Sequence, residues 1–164
     1  MGGSQGARRI NQTVWDALDG LLDRFEEVVH LTGAQGERRA AELVRPGYRP
    51  CPFSDEMPRL MAEADLVVCR AGVGTCAEVT ASGLPAVLVP GTFGGGHQER
   101  NVQELVGAGA AVRIADAELS ASTLLGTLDS LEPDRLRAMA AASAALGRPN
   151  AARDIVRVLE EVAA

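Results

Sequence analysis

Short apolar runs alternate along this chain with segments of helical periodicity, and that alternation constrains the fold more than any other feature. Residues 65–69 and 86–89 read as short, continuously apolar strands, as expected of strands buried on both faces. Residues 27–31, 48–52 and 111–114 read as further strands. Between them, Ile10, Val14, Leu18, Leu21, Leu22 and Phe25 recur at helical spacing. Residues 37–44, 98–107 and 56–64 are also helical, the last with Met57, Leu60 and Met61 on one face. The chain is helical from Ser120 onward, with a break at the Gly-Arg-Pro-Asn of residues 147–150. The pattern predicts an α/β fold with a doubly wound parallel sheet, as a single domain over residues 1–164. Sheets of this kind bind ligands outside the carboxyl ends of their strands.

The segment Cys69-Arg70-Ala71-Gly72-Val73-Gly74-Thr75-Cys76-Ala77-Glu78 lies at such an end, as a glycine-bearing turn that opens a helix. Free N–H groups and the positive end of the helix dipole converge there, which suits a phosphate or diphosphate without a metal. Glu78 follows Thr75 by three residues on the same helix face. A carboxylate there would repel phosphate but could accept two hydrogen bonds from a ribose diol. An ordinary strand-to-helix connection with an early glutamate accounts for the same residues.

An anionic ligand has to be held by local amides, because the chain carries a net charge of −6. That charge and the 3% aromatic content argue against a nucleic-acid surface. The 16 basic residues are all arginine, which excludes a P-loop lysine and a lysine Schiff base. Cys51, Cys69 and Cys76 lack paired spacing and read as small core residues, and His30 and His97 stand far apart. No zinc site is expected. No D-x-D pair is present to hold a divalent ion against a nucleotide diphosphate, so no metal cofactor is expected. With no apolar run long enough to span a bilayer, the expected location is cytoplasmic.

A second glycine turn, Gly2-Gly3-Ser4-Gln5-Gly6-Ala7, enters the first helix, where Ser4 could cap the helix or place its hydroxyl on a phosphate. Only Met1 precedes this turn, so the strand expected to lead into it is missing and the chain reads as part of something longer.

Gly2 to Ala7 with Asn11, His30-Leu31-Thr32-Gly33, Phe53-Ser54-Asp55-Glu56-Met57, Cys69 through Glu78, Ser82-Gly83-Leu84-Pro85-Ala86, and Gln98 with Asn101 together resemble the C-terminal half of the MurG family. These are UDP-N-acetylglucosamine transferases of the GT-B type, and the blocks match in order over nearly the whole chain. The resemblance implies the Rossmann-like, donor-binding half of an inverting, metal-independent hexosyltransferase. It places Phe53, Ser54 and Met57 near the uracil, Ser4, Gly72, Val73, Gly74 and Thr75 at the diphosphate, and Glu78 at the ribose. His97, Gln98 and Asn101 would read the sugar hydroxyls. The donor would be UDP-N-acetylglucosamine and the acceptor lipid-linked. The N-terminal acceptor domain, or a separate acceptor subunit, would supply the general base and any membrane contact. This chain alone would bind donor without turnover.

The chain departs from the family at Val73-Gly74, at His97-Gln98 and at Leu31, and residues 92–96 read as a loose loop beside the sugar site. These departures leave open a MurG-like natural-product glycosyltransferase using another UDP-sugar or a dTDP-sugar, or the donor subunit of a split transferase. A nucleotide-binding module such as an epimerase-like or sensor domain is a further class; a general base within the chain would count for epimerase chemistry, and His97 is the only candidate. Simpler readings stand beside the site assignments. His97 can be a solvated loop residue, His30 a satisfied structural histidine, Met57 core packing, and Phe53 a staple at a helix entry. The helices from Ser120, with Leu124, Leu128, Leu131, Leu136, Leu146, Ile155 and Leu159, read as purely structural.

Overall fold

The computed structural model describes residues 7–92 and 97–163. All the paired strands run parallel. β1 (Val28–Leu31) lies beside β2 (Tyr48–Cys51), in a register that sets Val28 against Tyr48 and Leu31 against Cys51. β3 (Val67–Cys69), β4 (Ala86–Leu88) and β5 (Ala111–Arg113) form a second sheet with β4 at its centre. The helices are α1 (Arg8–Asp16), α2 (Leu18–Leu22), α3 (Glu37–Ala41), α4 (Met57–Glu63), α5 (Val73–Ala81), α6 (His97–Gly107), α7 (Ala121–Asp129), α8 (Pro133–Leu146) and α9 (Ala151–Ala163).

The alternation of side chains along β4 builds two cores. Val87, and Val89 just beyond the strand, pack with Ile10, Val14 and Leu21 of the first two helices and with Leu124 and Leu128 of α7. Ala86 and Leu88 face the other way, toward Met61, Cys76, Val79, Val102 and Leu105 from α4, α5 and α6. A central strand covered by helices on both faces has no polar side, which is why residues 86–89 read as an unbroken apolar run. Ile10 and Leu124 are each 1% exposed, so truncating either to alanine is expected to cost about 2–5 kcal/mol.

Element boundaries differ from expectation where tertiary structure intervenes. The helical periodicity from Ile10 to Phe25 is interrupted at Ala17, which divides it into α1 and α2. The helix expected over residues 37–44 ends at Ala41, because an Arg45–Tyr48 bridge and Gly47, at φ 80°, turn the chain into β2. Short 3-10 turns at Ala34–Gly36 and Asp116–Glu118 have no periodic signal in the sequence. The described residues of α9 are all exposed, Ile155 by 60% and Leu159 by 63%, so the C-terminal helix joins neither core.

Candidate functional site

Parallel pairing brings the carboxyl ends of β1 and β2 to one edge of their sheet, and those of β3, β4 and β5 to one edge of theirs. Beyond β3 the chain passes Arg70 and Ala71 and enters α5 with Gly72 as N-cap, in extended geometry (φ −64°, ψ 147°). Gly72 supplies no side-chain cap, and the first turn of α5 carries no acidic residue. The first-turn amides of Val73, Gly74 and Thr75 therefore lack an intrahelical acceptor. Among the described residues, a Cβ on Gly74 would meet nothing within 4 Å, and one on Gly72 would meet only the Thr75 hydroxyl at 3.8 Å. Val73 is 77% exposed. Among the described residues no side chain caps this turn, which thus presents backbone donors at the positive end of a helix, an arrangement suited to an anion. Glu78 is exposed further along α5, four residues past Gly74 and so on the side of the helix below it.

α6 frames the other side of this turn. His97 opens the helix and is exposed, so it is a helix-start residue instead of the loop residue that one reading allowed. Gln98 and Asn101 are half-buried, and their amides reach the backbone of the β3–α5 turn. Arg70, the cation within the motif, is turned inward. Its guanidinium donates to Asp116 Oδ1 at 2.5 Å and to the carbonyls of Val89 and Pro90, joining the ends of β3 and β4 to the 3-10 turn after β5. Asp116 lies 46 residues from Arg70, and no local pattern announces the pair. Ser4 lies outside the described residues, as do residues 93–96 of the expected loose loop.

The block after β2 stands at the end of the other sheet. Phe53 is 65% exposed, so it does not staple the entry of α4. The Ser54 hydroxyl accepts from the Glu56 amide at 3.1 Å, forming a local turn, and Glu56 is the helix N-cap. Met57 is half-buried against the core that contains Met61. Phe53 and Ser54 thus lie in the loop at a carboxyl strand end, with Phe53 exposed, and Met57 opens the helix that follows.

His30 belongs to a closed polar network behind β1. The Trp15 indole donates to the Tyr48 hydroxyl (3.1 Å), which lies 2.8 Å from His30 Nδ1. His30 Nε2 lies 3.1 Å from Asn11 Oδ1, and Asn11 Nδ2 donates to the Thr32 carbonyl at 2.6 Å. One assignment satisfies every atom: Tyr48 donates to Nδ1, and the ring proton sits on Nε2 and goes to Asn11. The imidazole is therefore neutral, and burial pulls its pKa down to about 4. This is the structural histidine that the sequence allowed. Burial likewise raises the thiols, with Cys69 pushed up to about 12; Cys69 and Cys76 are buried core residues, whereas Cys51, expected in the core, is half-buried outside it.

A cavity of about 730 Å³ opens between β1 and β3, lined by Val29, Leu66, Met61 and Leu128 with Glu27 and Asp65. Its lining includes the amino ends of both strands, and none of the α5 first-turn residues contributes to it. Among the described residues, no cluster of three His, Cys, Asp or Glu is placed to hold a metal, and no helix is long and apolar enough to cross a membrane.

The sequence matches the glycosyltransferase family 28 C-terminal domain over residues 1–158. It is 47% identical over 131 residues to the UDP-N-acetylglucosamine–N-acetylmuramyl-(pentapeptide) pyrophosphoryl-undecaprenol N-acetylglucosamine transferase of Corynebacterium glutamicum strain R, covering 79% of this chain and 36% of the relative. The enzyme of the same name from Frankia casuarinae is 43% identical, with 99% of this chain and 45% of the relative covered. The crystal structure of Acinetobacter baumannii MurG superposes with a TM-score of 0.83 at 29% identity, over 98% of this chain and 48% of that one. The chain thus spans less than half the length of these relatives. Expectation and structure agree on a parallel α/β, Rossmann-like architecture, and this chain belongs to the glycosyltransferase family 28 C-terminal domain family.

Proposed function

We propose that this chain is the donor-binding half of an inverting glycosyltransferase that moves N-acetylglucosamine from UDP-N-acetylglucosamine to a lipid-linked acceptor. The observation that carries the reading is the uncapped, non-acidic N-terminus of α5 at the carboxyl end of β3, in a chain whose relatives are named for that transfer. In this reading the amides of Val73, Gly74 and Thr75, with Gly72 and Ser4, hold the diphosphate. Glu78 accepts hydrogen bonds from the ribose hydroxyls, and Phe53, Ser54 and Met57 border the uracil. His97, Gln98 and Asn101 stand beside the sugar.

Charge develops on the diphosphate as the acceptor hydroxyl displaces it from the anomeric carbon. Fixed amides and a helix dipole stabilise that charge without reorganising, which is the work a metal does in other transferases. The general base and the acceptor pocket belong to the remainder of the protein, as does contact with a membrane surface. The exposed apolar side of α9, formed by Ile155, Val158, Leu159 and Val162 at three- and four-residue spacing, is available for that companion part to cover.

The test is calorimetric titration of the 164-residue chain with UDP, dTDP, UDP-N-acetylglucosamine and UDP-glucose, with and without magnesium. Selective binding of UDP-N-acetylglucosamine, unchanged by magnesium, is expected; preference for dTDP or a strict need for metal would refute the reading. Glu78→Ala and Ser4→Ala should each weaken UDP binding, by about fivefold to tenfold, while leaving the circular dichroism spectrum unchanged. Unaltered affinity in both variants would refute the site assignment.

A further inference from the structure

The turn that carries the α5 amides hangs on side chains of α6. Ala71 is fully buried, and its N–H donates to Gln98 Oε1 at 3.3 Å while its carbonyl accepts from Asn101 Nδ2 at 2.9 Å. The same Gln98 oxygen accepts from the Gly91 amide at 2.7 Å, so one atom joins the segments that follow β3 and β4. A Cβ on Gly91 would come within 3.3 Å of the Gln98 amide, tighter than ordinary packing. The orientation of both side-chain amides is set by chemistry. Two backbone donors must face the oxygen of Gln98, and a backbone carbonyl must face the nitrogen of Asn101.

We propose that Gln98 and Asn101 are positioning residues, which clamp the peptide immediately before Gly72 and thereby aim the first-turn amides of α5 at the donor diphosphate. This rests on the donor-binding reading and deepens it. The clamp occupies Gln98 Oε1 and Asn101 Nδ2, leaving Gln98 Nε2 and Asn101 Oδ1 as the atoms that can address a sugar. Any contact with the sugar is thus coupled mechanically to the diphosphate turn, because the same two side chains hold both. Asn101 and Gln98 lie on the first two turns of a helix whose Val102 and Leu105 are buried, which gives the clamp a rigid base.

Two measurements separate this role from simple reading of the sugar. The first is titration with UDP, which has no sugar, for the 164-residue chain and for Asn101→Ala and Gln98→Ala. A positioning role predicts that both variants lose UDP affinity by about fivefold to tenfold, with an equal factor for UDP-N-acetylglucosamine and little change in melting temperature. If the residues only read sugar, UDP affinity stays constant and only the UDP-sugar weakens, which would overturn the proposal. The second is amide hydrogen exchange without ligand. Exchange at Ala71 and Gly91 should accelerate about tenfold or more in Gln98→Ala and stay slow in Gln98→Glu, which keeps an acceptor oxygen. Unchanged exchange in Gln98→Ala overturns the clamp itself. A parent chain that binds neither UDP nor UDP-N-acetylglucosamine overturns the donor reading and with it the clamp's ligand role.

Discussion

His30 shows how one residue's environment becomes a property of the fold. It is 3% exposed, between Tyr48 and Asn11, and a neutral ring is the form that leaves the Tyr48 hydroxyl proton an acceptor at Nδ1 while Nε2–H donates to Asn11. Its pKa is about 4 in the fold against 6.5 for the free side chain. Between those values the unfolded chain binds a proton that the folded chain refuses, so stability falls as pH falls. The contribution is complete above the unfolded value and is lost progressively toward the folded one, and it amounts to about 3 kcal/mol at most. Melting temperature followed from about pH 7 to about pH 4 should therefore decline, and a His30→Gln variant should show a shallower slope through the same window. Equal slopes would mean that the histidine already titrates normally. The same scale shows why site residues were legible only in part. Gly72, Gly74 and Glu78 could be read as a turn and a helix face because their geometry is local. Gln98 and Asn101 could be placed near the site, but not their grip on Ala71, because the partner backbone lies 27 and 30 residues away.

At the scale of elements, the break at residues 147–150 is a fitted joint as well as an interruption. A Cβ on Gly147 would collide with the Thr80 carbonyl of α5 and lie 3.1 Å from Ala81 Cα, although its backbone angles suit any residue. Gly147→Ala should therefore destabilise the chain by about 2 kcal/mol or more, read as a lower denaturation midpoint, because backbone and not a flexible side chain must move. A change near zero would show that α8 and α5 can slide apart at no cost. α9, beyond the joint, gives the opposite expectation. Leu159 is 63% exposed, so Leu159→Arg should change the stability of this chain by less than about 0.5 kcal/mol in the same assay. A large loss would mean that α9 packs back on the domain in solution. The periodicity of Ile155 and Leu159 marks a helix in the sequence, and the structure leaves its apolar residues exposed. An apolar stripe records that a helix needs a partner, and not whether that partner lies within residues 1–164.

For the whole molecule, the donor reading separates binding from turnover. The chain spans 36% and 45% of two relatives that carry the complete transfer in their names. The 164-residue chain should bind UDP-N-acetylglucosamine yet release no UDP when a lipid-linked acceptor is added, and turnover should appear only when the remaining part of the protein is supplied. Turnover by this chain alone, measured as UDP release, would place a general base within it. What the sequence by itself determined was the parallel α/β architecture, the glycine turn opening α5 and the family. These follow from hydrophobic period and from short motifs, which act over a few residues. Tertiary structure alone decided that β4 feeds two cores, that Arg70 braces Asp116, that His30 is held neutral, that Gln98 and Asn101 bond the Ala71 backbone, and that α9 stands exposed. Each depends on contacts between segments distant along the chain, and side-chain hydrogen bonding and burial are settled only when those segments pack.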